Sequence, residues 1–165
     1  MTDKDAKFYT NSGIEKTNHG DFEGAIRDFE KAEELLPDWA LTHFSKAIAY
    51  HHLKQLEKAF ESYTRAIELD GKMVDAYYNR AHTVLLFDNL EEKGLRQALS
   101  DLQKAIELDE KFVDALYYSA VVKMKLKDYQ GAVNDLDKVI AIEPAAIHSK
   151  ALKKLILQKY MKQEK

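Results

Sequence analysis

Gly24-Ala25-Ile26-Arg27-Asp28-Phe29-Glu30-Lys31-Ala32 returns three times in altered form, as Lys58-Ala59-Phe60-Glu61-Ser62-Tyr63-Thr64-Arg65-Ala66, Gln97-Ala98-Leu99-Ser100-Asp101-Leu102-Gln103-Lys104-Ala105 and Gly131-Ala132-Val133-Asn134-Asp135-Leu136-Asp137-Lys138-Val139. In each copy Ala is followed four residues later by an aromatic or Leu, and three beyond that by Ala or Val, which sets all of them on one stripe of a helix. The alanines Ala25, Ala59, Ala98 and Ala132 recur at intervals of 34, 39 and 34 residues. A near-constant period of this length means that each unit buries its apolar face only against its neighbours.

Another helix precedes each copy. It carries Gly13, Ala47, Ala81 or Ala120 with a bulky side chain four residues earlier, at Tyr9, His43, Tyr77 and Leu116. Every repeat therefore reads as a helical hairpin. The only prolines, Pro37 and Pro144, fall at one place in the pattern, after the later helix, where a residue without a backbone N–H stops it. Gly71 holds that place in the second repeat. The hairpin turns read Gly20-Asp21-Phe22-Glu23 and Lys127-Asp128-Tyr129-Gln130, in which Asp is placed to cap the helix that follows.

These residues resemble the tetratricopeptide repeat over about residues 6–146, as repeats at about 6–39, 40–73, 74–112 and 113–146, with a capping helix at 147–163. The later-helix half matches best, at Ala25 and Phe29, Ala59 and Tyr63, Ala98 and Leu102, and Ala132 and Leu136. In the earlier helices His43, Lys16, Lys46, Arg80 and Lys123 stand where the pattern prefers apolar groups, and Glu110 replaces the terminal proline of repeat three. The resemblance implies an all-α fold in one domain: a right-handed α-solenoid, or superhelix, of four helical hairpins plus the C-terminal cap.

Two departures carry expectations of their own. Ala98 comes five residues late, so Glu92-Lys93-Gly94-Leu95-Arg96 contains extra chain, read as a longer hairpin turn projecting from one edge. In the tail, Leu152, Leu155, Ile156 and Tyr160 share a helical face that covers the last apolar surface. The same tail holds Lys150, Lys153, Lys154, Lys159, Lys162 and Lys165 against Glu164, a basic face read as solvated in preference to a contact for an acidic partner or anionic lipid.

Composition narrows the function. The 165 residues include 45% hydrophobic and 32% charged side chains with 6 Gly and 2 Pro, material for helices rather than turns. A net charge of -3 offers no broad attraction for phosphate backbones, so no nucleic-acid partner is expected. No cysteine is present, which removes disulfides, thiolate metal sites and a cysteine nucleophile. The polar start Met1-Thr2-Asp3-Lys4-Asp5-Ala6-Lys7 and the short apolar run Val84-Leu85-Leu86-Phe87 give neither a signal peptide nor a membrane span, and a cytoplasmic location is expected. Gly-rich phosphate loops, GxSxG and HExxH are missing, so no enzyme, cofactor or metal is expected. His51 and His52 approaching His82 is the one metal arrangement the order of residues suggests, and adjacent helical residues diverge too far to favour it. His43 reads as filling a structural slot.

The resemblance places a peptide-binding groove on the earlier helix of each repeat: Thr10, Asn11 and Ile14; Phe44, Ser45 and Ile48; Tyr78, Asn79 and His82; Tyr117, Tyr118 and Val121. Phe44, Tyr78 and Tyr117 are equivalent, and aromatic groups anchor interfaces well. The lysine- and arginine-rich clamp with which some family members capture a C-terminal carboxylate is not reproduced: the matching positions hold Thr10, Ile14, Ser45, Asp75 and Asn79 in one frame, and Phe44, Ile48, Asn79, Asp114 and Tyr118 in the other. Asp75 and Asp114 would repel a carboxylate. The expectation is a monomeric protein-protein interaction scaffold for a partner protein or peptide. The alternative is a structural subunit that self-associates or joins a larger complex through its ends or its basic last helix.

Overall fold

The structure, a computed structural model, describes residues 3–88 and 90–161. Among them the chain forms nine α-helices and no strand: α1 (Asp3–Asn18), α2 (Phe22–Leu35), α3 (Ala40–His52), α4 (Leu56–Leu69), α5 (Val74–Leu85), α6 (Glu92–Leu108), α7 (Val113–Lys125), α8 (Tyr129–Ile142) and α9 (Ile147–Lys159). Two compact units divide the chain, Met1–Asp88 with α1 to α5 and Asn89–Lys165 with α6 to α9. The boundary falls in the turn after α5.

Three of the hairpin turns share one design. Gly20, Lys54 and Lys127 occupy the same place in the repeat and all have positive φ, at 82°, 58° and 66°. Each donates its N–H back to Thr17, His51 or Met124, while the next residue, Asp21, Gln55 or Asp128, donates to the carbonyl five residues back. This paired bonding ends a helix in a left-handed residue and satisfies carbonyls that otherwise lack partners. Asp21 and Asp128 then start the next helix, each accepting from the N–H three residues on, Gly24 or Gly131, at 2.9 Å.

Within the first unit each helix packs on the next in sequence, and α1 also meets α3. Two apolar clusters hold it: Ala25, Phe29 and Ala49 with Ile14, Phe22 and Ile26, and Ala47, Ala59 and Tyr63 with Phe44, Ile48 and Tyr50. Phe29 is fully buried, a burial of about 2–3 kcal/mol. Gly13 permits it, because a Cβ there would lie 2.5 Å from Phe29 Cε1. In the second unit Ala120, Ala132, Val133, Leu136 and Ile156 form the cluster, joined by Tyr117, Met124, Tyr129, Leu152 and Leu157.

Two expectations change in the structure. The extra residues 92–96 do not form a projecting turn. They lengthen α6 to 17 residues against 14 in α2, α4 and α8, with Arg96 reaching Glu92 one turn back at 2.6 Å. In α9 Ile156 is buried and Leu152 packs inward, but Leu155 points to solvent and Leu157 packs in its stead. Tyr160 stacks on Tyr129 at 4.7 Å. Asp28, Asp101 and Asp135 are buried at equivalent places of their repeats. Lys162, Glu164 and Lys165 of the basic tail lie outside the described residues.

Candidate functional site

Basic residues that interrupt the apolar pattern of the earlier helices explain two of those buried carboxylates, Asp28 and Asp135. Ser12 Oγ donates to Asp28 at 2.7 Å and Lys16 Nζ at 2.5 Å. Ser119 and Lys123 treat Asp135 identically, at 2.7 and 2.5 Å. Burial pushes the Asp28 carboxyl up, but the hydrogen bonds from Lys16 and Ser12 and the charges of Lys16 and Lys31 outweigh it and hold it below 3.8. Lys46 and His43 converge on Glu33 at 2.5 and 2.9 Å, and His43 Nε2 meets the Pro37 carbonyl at 2.7 Å. Desolvation raises Glu33, and those two donors more than reverse it. The aspartate pairs lock their hairpins and the Glu33 pairs join the first hairpin to the second; they are not offered to a ligand. Their signal in the sequence is the shared spacing of Ser12, Lys16 and Asp28 with Ser119, Lys123 and Asp135.

The expected groove residues separate into distinct groups. Ile14, Phe44, Ser45 and Ile48 line one hollow of about 260 Å³ between α1 and α3, together with Thr17, Asn18 and Leu41, which the pattern did not single out. Leu41 and Asn18 sit one helical turn from Ser45 and Ile14, the spacing that would have found them. Phe44 also tilts onto Tyr63 at 5.8 Å, so one face of its ring belongs to the core. Thr10 is 0% exposed and spends its hydroxyl on Thr42 at 2.8 Å, which removes it from the surface. Asn11 is exposed on α1.

On α5, Tyr78 stacks on His82 at 6.2 Å and His82 on His51 at 5.6 Å. His51 Nδ1 is 2.9 Å from Thr83 Oγ1. Burial lowers the pKa of both histidines below 6.5; His82, Lys54 and His52 lower His51 further, and Lys54 lowers His82. The rings stay neutral near pH 7. His51, His52 and His82 do approach one another, yet no group of three or more potential ligands converges on a metal position among the described residues. Asn79 Nδ2 donates to the Asp75 carbonyl at 2.8 Å.

In the second unit Tyr117 and Tyr118 meet edge to face at 5.6 Å and line a hollow of about 470 Å³ with Val113, Asp114, Val139, Glu143 and the start of α9. Val121 is half-buried outside that hollow. Among the described residues no helix is long and apolar enough to cross a membrane.

Antiparallel helix pairs at a 34-residue period, each closed by a small residue against a ring or Leu and each leaving a partly apolar face on its earlier helix, define the helical-repeat class of binding scaffolds. Residues 12–82 match the tetratricopeptide repeat, and residues 113–164 the Fis1 C-terminal tetratricopeptide repeat. The chain belongs to the tetratricopeptide repeat family, whose members generally mediate protein–protein interactions and are generally not enzymes.

Among its relatives, the uncharacterized protein MJ0572 of Methanocaldococcus jannaschii is 36% identical over 76 residues, 46% of this chain and 88% of that protein. Human serine/threonine-protein phosphatase 5 is 39% identical over 61 residues, 37% of this chain and 12% of the phosphatase. The crystal structure of MamA protein superposes with a TM-score of 0.85 at 26% identity, covering 94% of this chain and 82% of that one. The first tetratricopeptide domain of Spaghetti (RPAP3), bound to an HSP90 peptide, superposes at 0.65 with 22% identity over 72% of this chain and 90% of its own, a likeness of fold.

Proposed function

We propose that the chain is a non-enzymatic scaffold that holds a peptide segment of a partner protein on the earlier helices of its hairpins. The hollow between α1 and α3 carries this reading. Its walls are apolar except for Thr17, Asn18 and Ser45, and about 260 Å³ suits one or two apolar side chains of a bound segment. Tyr117 and Tyr118 of the second unit are the corresponding anchors there. Exposed Asp75 and Asp114 argue against capture of a C-terminal carboxylate.

Pull-down of a partner from native extract tests the reading. Alanine at Phe44, Tyr78 and Tyr117 together is expected to abolish capture. Because Phe44 and Tyr117 also pack on their cores, Leu41→Lys serves as a second variant that obstructs the hollow without opening the core. Unchanged capture by both folded variants excludes this surface. Self-assembly through the chain's ends has the exposure of Phe8, 67%, and Ile147, 76%, in its favour. Light scattering separates the two, since a mass independent of concentration argues against assembly.

A further inference from the structure

The cap helix α9 stands where the earlier helix of a fifth repeat would stand. It begins at Ile147, 34 residues after Val113 of α7, and its buried Ser149 and Ile156 lie 34 residues after the buried Ala115 and Val122. In the first and fourth repeats the side of the earlier helix that receives its partner is well defined. Gly13 faces Phe29, Ser12 and Lys16 hold Asp28, and Ser119 and Lys123 hold Asp135. The corresponding side of α9 is Lys150, Lys153, Lys154 and Leu157. With Ile140 and Gln158 these residues line a hollow of about 470 Å³. The position of Gly13 and Ala120, kept small elsewhere so that a helix can approach, holds Lys154.

From the hollow and its charge we infer that the face of α8 and α9 is the docking site for an acidic amphipathic helix of a partner protein, lying on the side that the second helix of a fifth repeat would cover but held further out by Lys154. Charge decides the kind of occupant. α9 carries Lys150, Lys153, Lys154 and Lys159 and no acidic residue. Lys153 already pairs with Asp137 of α8, which leaves Lys150 and Lys154, both exposed, at the mouth of the hollow. An incoming helix buries an apolar residue on Ile140 and Leu157 and sets carboxylates on those two lysines. This surface is separate from the hollow between α1 and α3, so either reading can fail without the other.

The probe is a fluorescein-labelled peptide with the α2 sequence Phe22–Leu35, which joins an apolar stripe to Glu23, Asp28, Glu30, Glu33 and Glu34. Binding to the full chain is followed by fluorescence anisotropy up to ~1 mM peptide. Saturable binding is expected, weakened at least about tenfold by Lys150→Glu with Lys154→Glu and by raising salt to about 0.5 M. Lys58→Glu, an exposed lysine of the first unit, is expected to leave it unchanged. Circular dichroism checks that the variants fold. Four results overturn the proposal: no saturable binding, equal binding by the double variant, equal binding of a peptide whose carboxylates are replaced by amides, or phosphatidylserine vesicles binding through these lysines while the peptide does not. Sedimentation showing a dimer lost in the double variant also overturns it, because the occupant would then be a second copy of the chain.

Discussion

Gly13→Ala tests the closest contact in the first hairpin. A Cβ at residue 13 would lie 2.5 Å from Phe29 Cε1 and 2.8 Å from Cδ1 and Cζ, whereas carbons rest near 3.5–4.0 Å. Phe29 is fully buried between Ala25 and Ala49, so the ring has no space into which to retreat and α1 must move off α2 by about 1 Å. Overpacking of this kind costs about 1–3 kcal/mol, and replacing a mid-helix glycine by alanine returns about 1 kcal/mol. The expected net loss is up to about 2 kcal/mol, a fall in Tm of up to roughly 8 °C for a chain of this size. The second unit contains the answer to the clash: Ala120 packs with Leu136 in one cluster. Phe29→Leu added to Gly13→Ala recreates that pair and is expected to recover most of the loss, giving a coupling of about 1–2 kcal/mol in the double-mutant cycle. Thermal and urea unfolding followed by circular dichroism supply the four values. A Gly13→Ala protein at least as stable as the parent, or strictly additive effects, would refute the reasoning.

Lys127→Gly should raise stability by about 0.5–1 kcal/mol, since a left-handed φ of 66° strains a lysine and not a glycine, and Gly20 already holds the equivalent turn; a lower urea midpoint contradicts this. Lys123→Met leaves the Asp135 carboxylate buried with Ser119 alone among its two donors and should cost about 3 kcal/mol, while adding Asp135→Leu should restore most of it, as urea unfolding of the single and double variants will show. His51 and His82 protonate near 6.5 when unfolded and less readily when folded, so the unfolded state takes up more protons once the pH falls below about 6.5. Stability is therefore full above that value and declines on acidification, and His51→Asn with His82→Asn should flatten the decline that sets in below about pH 6.5. Asp28 and Glu33, lowered from 3.8 and 4.5, contribute stability that is lost only in more acid solution. A melting temperature equally pH-dependent in the histidine variant sinks that assignment.

What the order of amino acids determined by itself is local and periodic. Alanines at 25, 59, 98 and 132 with a ring or Leu four residues on specify one helix stripe, Gly13 and its equivalents specify what lies against it, and the Asp caps mark where helices begin. Each signal concerns residues within a few turns of one another, so it survives in a linear string. The chain alone did not reveal which charges are buried. Lys16 looks like a misfit in an apolar pattern until α2 brings Asp28 to 2.5 Å, and Thr10 looks like a groove residue until α3 brings Thr42 to 2.8 Å. Nor does the string decide whether five added residues lengthen a turn or a helix, or which of Leu155 and Leu157 faces inward. Those outcomes depend on the neighbouring helix, because a side chain's face follows from the helical period while its partner is set only when distant elements pack.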